Sequence, residues 1–234
     1  MWYDPLRVEV FCGLAKGLAL IFDLDGVIVD SNPVHQQVWR LYMKQFGVML
    51  DDEMLARMYG RRNDDILPDF FGKPLTREET IAHGAAKEAL YRQVMKHRLA
   101  QHLVPGVRSF LERHRAAEAP IGLATNAEPE NAEYVLQESG LRDFFQVVVD
   151  GRQVDRPKPD PQIYLIAAQL LETAPGNCIV FEDSAPGVEA ARAAGARIVG
   201  ITTTHTALPG AGLNIDNFLS LELEEWLRRQ RPID

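Results

Sequence analysis

Apolar positions along the chain fall into three regimes, and each predicts a different kind of element. Leu18–Phe22 is an unbroken apolar run leading into Asp23-Leu-Asp-Gly26, and a run this short fits a strand buried on both faces. From about residue 32 to 100 no comparable run occurs. There Val34, Val38, Leu41, Tyr42 and Phe46 recur mostly at spacings of three and four, and Leu90, Val94 and Met95 do likewise. That spacing predicts amphipathic helices, punctuated by Gly47, Gly60, Gly72 and Pro74.

Beyond Val104-Pro-Gly106 the pattern alternates between the two periods. Helices are predicted over Val107–Arg115, Pro129–Ser139, Asp160–Leu171 and Gly187–Ala194, and strands over Ile121–Thr125, Val147–Val149, Cys178–Phe181 and Arg197–Ile201. Gly140 and Gly195 suit left-handed helix ends. Asp160-Pro161 suits an N-cap followed by a first-turn proline. Alternation of this kind implies βαβ units, a mostly parallel sheet and an α/β fold. Ligands of such sheets bind beyond the carboxyl ends of the strands. Asp23, Thr125 and the pair Glu182-Asp183 all fall at those ends.

Composition narrows the function classes. The 234 residues carry 25 Lys and Arg against 33 Asp and Glu, a formal charge of −8. This disfavours a nonspecific nucleic-acid or anionic-membrane partner, both of which need a basic surface. It leaves an anionic small molecule open. Cys12 and Cys178 cannot form a disulfide framework and are expected to be reduced thiols. The N-terminal segment lacks the basic-then-apolar order of a secretory signal. No apolar stretch approaches the roughly 20 residues that span a bilayer. A cytoplasmic location is the expectation.

The acidic strand ends carry the chemistry. Asp23 and Asp25 sit two apart in an extended segment, which sends both side chains to one side; alone, they equally describe an Asp-Gly turn. Glu182 and Asp183 repeat the theme before Ser184, where acids also favour a helix start. Together, three or four converging carboxylates would repel one another without a cation. Oxygen ligands without nearby His or Cys favour a hard ion such as Mg²⁺. Lys158, between two prolines, adds a placed positive charge, and Thr125 a hydroxyl. These groups make up a phosphoryl-transfer site.

Asp23-Leu-Asp-Gly-Val-Ile-Val-Asp30, Thr125-Asn126, Lys158-Pro-Asp160 and Phe181-Glu-Asp-Ser-Ala-Pro-Gly187 resemble the four ordered motifs of the haloacid dehalogenase superfamily of phosphohydrolases. The resemblance runs from about residue 18 to 205. It implies a Rossmann-like parallel-sheet core, residues 1–31 and 105–234, with an inserted α-helical cap over 32–104 hinged near Pro33 and Val104-Pro105. Asp23 would be the nucleophile, forming an aspartyl-phosphate, and Asp25 the general acid and then base. Mg²⁺ would be held by the Asp23 carboxylate, the Asp25 backbone carbonyl and Asp183, with Glu182 acting through a bound water. Thr125 and Lys158 would hold phosphoryl oxygens. On these roles Asp23 is expected to stay ionised while Asp25 keeps its proton.

The pattern from Asp30-Ser31 through His35 to Trp39 is similar to that of β-phosphoglucomutase and its sugar-phosphate phosphatase relatives. His35 falls at their hinge histidine and Lys87 at a cap lysine facing the site. Two positions depart. Asn63, beside Arg61 and Arg62, stands where the mutase has its substrate-phosphate arginine, and Ala127-Glu128 replaces a serine-lysine pair. A mutase must grip a second phosphate, so the loss of both anchors favours a phosphatase of a small phosphate ester over a mutase. Asn126, His35, Arg62, Asn63 and Lys87 are the expected substrate contacts. A dehalogenase is disfavoured because that branch uses neither Asp25 nor Mg²⁺. A non-catalytic phosphate-binding protein would most simply lack one of the key residues, and none is missing. A monomer is expected.

Overall fold

The computed structural model describes residues 14–233. Cys12 and the reading of the N-terminal segment fall outside them, while Cys178 is a free thiol whose burial pushes its pKa up to about 11. Six parallel strands form one sheet: β1 (Ala19–Phe22), β2 (Ile121–Ala124), β3 (Val147–Val149), β4 (Cys178–Glu182), β5 (Arg197–Ile201) and β6 (Leu213–Ile215), in the order β3-β2-β1-β4-β5-β6. β1 lies between β2 and β4, so the chain order reverses there and opens a crevice at the carboxyl ends of these three strands.

The alternation of side chains along each strand builds two cores. Leu20 and Phe22 of β1, with Phe181 and Leu123, face α6 (Val107–Ala116), α7 (Pro129–Glu138) and α10 (Leu221–Arg229). Phe22 stacks on Phe181 with centroids 4.6 Å apart. On the other face Ala19, Ile21 and Val180 meet α8 (Gln162–Leu170) and α9 (Ala185–Ala193). Small residues on that face let these helices approach closely.

Residues 32–102 hold five helices: α1 (Asn32–Lys44), α2 (Asp52–Ala56), α3 (Asn63–Phe71), α4 (Arg77–Met95) and α5 (Leu99–His102). They have a hydrophobic cluster of their own, including Trp39, Leu55, Leu67 and Phe70. The chain enters and leaves this insertion through paired backbone. Asp30 N donates to His102 O (2.7 Å) and Val104 N to Ile28 O (3.1 Å).

Several expectations shift. On α1, Val34, Val38 and Tyr42 are buried but Leu41 is exposed, because the apolar face is narrower than the spacing suggested, and Phe46, also exposed, lies beyond the helix. On α4 the buried face is Gly84, Lys87, Glu88, Tyr91 and Met95, with Leu90 and Val94 only partly covered. It turns polar side chains into the crevice. Helix α8 starts at Gln162, with the Asp160 carboxylate accepting from Gln162 N at 2.9 Å. Helix α9 starts at Ala185, two residues early, because the Ser184 hydroxyl caps it at Gly187 N.

Candidate active site

The crevice gathers the motif residues from three strand ends and one loop. Asp23 follows β1, Thr125 follows β2, Glu182 ends β4, Asp183 follows it, and Lys158 reaches in from the loop before α8. Asp23, Glu182 and Asp183 are buried and each offers an oxygen within 4.8 Å of the others. Two close approaches make this possible. At Gly26 (φ +75°) a Cβ would lie 1.9 Å from Asp183 Oδ2, and at Gly187 a Cβ would lie 1.9 Å from the Glu182 carboxylate. Only glycine lets the first loop and the start of α9 close on these carboxylates.

Lys158 Nζ is the one cation among them. It donates to Asp23 Oδ1 (2.7 Å), Glu182 Oε1 (2.6 Å) and Ala124 O (3.1 Å). Burial disfavours the ammonium, yet Asp23 and Glu182 outweigh it and hold its pKa above the usual lysine value. Glu182 is fully engaged. Besides Lys158 it accepts from the Tyr164 hydroxyl (2.5 Å), and its other oxygen takes Asp183 N (3.0 Å), Ser184 N (3.2 Å) and Ser184 Oγ (3.0 Å). Asp183 Oδ2 accepts from Asn32 Nδ2 (3.0 Å) and from the Thr204 hydroxyl.

Without a cation, the protein's own groups set a different protonation order from the one expected beside Mg²⁺. Burial, with Glu182 and Asp25 adding repulsion, pushes Asp23 up to about 7 against the pull of Lys158. Burial, Glu182 and Asp23 raise Asp183 further. Burial also acts on Asp25, but His35, the Ser31 hydroxyl and Lys87 outweigh it and hold the carboxyl below its usual value. The reason is geometric. Ser31 Oγ donates to Asp25 Oδ1 (2.5 Å), and His35 Nε2 lies 3.5 Å from the same oxygen. Burial thus disfavours the charged forms of Asp23 and Asp183 in an all-oxygen donor set, which is the chemistry a hard cation fits.

The insertion completes the crevice. His35 stacks on Tyr91 (centroids 4.0 Å apart), and its Nδ1 lies 3.1 Å from Lys87 Nζ. Lys87 also donates to Glu88 Oε1 (2.6 Å), which accepts from Asn63 Nδ2 (2.7 Å). His35 and Lys87 therefore line up behind Asp25, whereas Asn63 turns its amide to Glu88. Arg62 bonds the core instead, its Nη2 donating to Val154 O (3.0 Å) and to Gly151 O. Asn126 Nδ2 donates to Gly60 O (2.9 Å) and its Oδ1 accepts from Lys158 N (3.3 Å). Thr125 Oγ1 accepts from Ala127 N (3.1 Å), which leaves its proton for another partner.

The sequence reading missed Tyr164, Thr204, Glu88 and Asn131. Thr204 carried a signal, since Thr202-Thr203-Thr204 follows β5 as the other motif residues follow their strands. Glu88 carried one too, in phase with Tyr91 and Met95 on the buried face of α4.

The haloacid dehalogenase-like hydrolase family model matches residues 18–195, and the chain belongs to that family. It is 31% identical over 219 residues to a beta-phosphoglucomutase of Bacillus subtilis (strain 168), covering 89% of this chain and 95% of that one. It is 34% identical over 188 residues to a phosphorylated carbohydrates phosphatase of Thermotoga maritima, covering 78% and 84%. The crystal structure of a beta-phosphoglucomutase from Clostridium difficile superposes with a TM-score of 0.80 at 28% identity, covering 90% and 96%. Among the described residues no helix is long and apolar enough to cross a membrane.

Proposed function

We propose that the chain is a Mg²⁺-dependent phosphatase that hydrolyses a sugar phosphate through an aspartyl-phosphate on Asp23, with residues 32–104 as a cap over the site. The observation that carries this reading is Lys158 held between Asp23 and Glu182 beside Asp183, a single placed cation facing an oxygen-rich hole. Asp23, the Asp25 carbonyl and Asp183 would hold the metal, which when bound offsets charge on the phosphoryl oxygens. Glu182 has five donors on its two oxygens, so its part is to hold Lys158 and the 183–184 backbone.

In the first step the Asp23 carboxylate attacks phosphorus and the bond to the ester oxygen breaks. Asp25, ionised in the unliganded crevice, would take up a solvent proton as the anionic substrate binds and give it to that oxygen, while Lys158 and Thr125 bind the phosphoryl oxygens. In the second step Asp25 takes a proton from water, which attacks the phosphorus and returns Asp23. Ser31 and His35 fix the Asp25 carboxyl for both transfers.

Phosphatase is preferred to mutase because the two anchor positions hold no free cation: Asn63 bonds Glu88, and Glu128 pairs with Arg152 at 3.1 Å. The mutase reading retains one favourable observation, the Asp25–His35–Lys87 line. Incubation with β-glucose 1-phosphate and a trace of glucose 1,6-bisphosphate separates the two. Phosphate release, lost by at least 10³-fold in Asp23→Asn, is the expected result, consistent with the scale of removing a covalent nucleophile. Accumulation of glucose 6-phosphate without phosphate release would establish the mutase instead.

A further inference from the structure

The crevice is two chambers in series. The inner one, at the strand ends, encloses about 80 Å³. That is well below the span of small-molecule sites and suits the phosphoryl end of a ligand. The outer one, between α3, α4 and the 151–154 loop, encloses about 910 Å³, near the top of the ~300–1,000 Å³ span of small-molecule sites. Arg62, Asn63, Glu88, Asn126 and Glu128 line both and form the throat between them.

Most polar groups of the throat are already engaged. Both ends of the Asn126 amide are bonded, Glu128 holds Arg152, and Arg62 Nη2 holds two carbonyls. What remains is specific. Arg62 Nε is buried without a partner. Asn63 has given its amide protons' partner to Glu88, and its carbonyl oxygen accepts from no described residue. Glu88 accepts from Lys87 and Asn63 on Oε1 and from Asn131 (2.5 Å) on Oε2, three of the about four sites a carboxylate offers. Asn63 and Glu88 line the passage, so two acceptors are left there for a ligand. A hydroxyl can donate to Glu88 or Asn63, whereas an ionised second phosphate could only accept, and beside an anionic Glu88.

The outer chamber extends the same chemistry. Pro68, Leu75, Ile81 and Val154 give it an apolar wall for the C–H faces of a ring. Ile81 is exposed there, so packing in the hydrophobic core does not account for it. Of the arginines that line it, Arg92 donates to Asn131 Oδ1 (2.5 Å), Arg152 pairs with Glu128 and Glu130, and Arg77 stands exposed at the rim. We propose that the leaving group is an uncharged polyol of about disaccharide size, seated in the outer chamber and selected at the throat by Glu88 and Asn63 accepting its hydroxyl protons. This rests on the phosphatase reading and names the substrate class of that site.

The test separates the two. Binding to Asp23→Asn in Mg²⁺ is measured by calorimetry for trehalose 6-phosphate, fructose 1,6-bisphosphate and inorganic phosphate, which fits the inner chamber alone. Trehalose 6-phosphate is expected to bind at least tenfold tighter than either of the others. Glu88→Gln and, separately, Ala85→Trp, at an exposed α4 position lining the outer chamber, should each cut that advantage to threefold or less. Tightest binding by the bisphosphate, or an advantage that survives both substitutions, overturns the proposal. Should Glu88→Gln fail to fold, Ala85→Trp decides it. Wild-type turnover of p-nitrophenyl phosphate is the separate readout: its absence sinks the phosphatase reading, while the binding series still judges the chamber.

Discussion

Asp23 shows how burial, rather than residue type, sets the charge of a carboxylate. Desolvation pushes it up to about 7, against roughly 3.9 for an unfolded aspartate. Between about pH 4 and 7 the folded chain therefore holds a proton that the unfolded chain lacks, and the stability from Asp23 is lost as pH rises through that window. Asp25 runs the other way. Its lowered value gives stability that is present above the unfolded pKa and lost as pH falls through the folded one. A hard cation on Asp23 and Asp183 would take the place of the proton. Thermal unfolding with and without Mg²⁺ should then show a larger rise in Tm at pH 8 than at pH 6. Equal increments at the two pH values would mean that the cation does not use these carboxylates.

At the scale of elements, the strands next to the site were legible because each is a short apolar run ending in a polar group with few alternatives. Phe22, Thr125 and Glu182 mark the ends of such runs. The site was legible for the same reason: its carboxylates and lysine are residues that a strand end or a proline-flanked loop does not otherwise require. The partners that tune it were not. Tyr164 and Asn131 act through contacts set by the sheet order and by the return of the insertion, which local spacing does not encode. β6 was missed because Leu213-Asn-Ile215 sets a polar residue between two apolar ones, whereas β3, equally short and also at a sheet edge, is the unbroken apolar run Val147–Val149. Helix α10 closes one side of the core, and its packing can be tested. Leu223 and Leu227 are fully buried in the core that holds Phe22 and Phe218, and Arg113 pairs with Glu224 at 2.7 Å. Leu223→Ala should cost about 2–5 kcal/mol, the range for emptying a buried leucine site. Urea unfolding checks this, and a loss well under about 1 kcal/mol would place the helix outside the cooperative core.

For the whole molecule, the charge divides between its two parts. Residues 32–100 hold 11 Lys and Arg against 9 Asp and Glu, a balance of +2 that leaves −10 elsewhere in the total of −8. The insertion thus brings a mildly basic surface over an acidic crevice. The hydrogen bonds that join them across the throat include Arg62 on the carbonyls of Gly151 and Val154, Asn126 on the carbonyl of Gly60, and Glu88 and Arg92 with Asn131. Hydrogen bonds from a charged donor contribute about 1.5–3 kcal/mol each, so Arg62 with its two carbonyls is a substantial part of this clasp. If the insertion moves as a cap, removing the clasp should favour the open form before it affects the fold. Arg62→Ala is expected to speed amide exchange at Arg61–Asn63 and Arg152–Val154 in the absence of substrate. It should also raise KM for a sugar phosphate about tenfold, equivalent to ~1.4 kcal/mol of closure, with a near-normal Tm. Exchange at both segments that stays at the wild-type rate would show that the 30–32 and 102–104 connections, with the helices they carry, hold the insertion in place without Arg62.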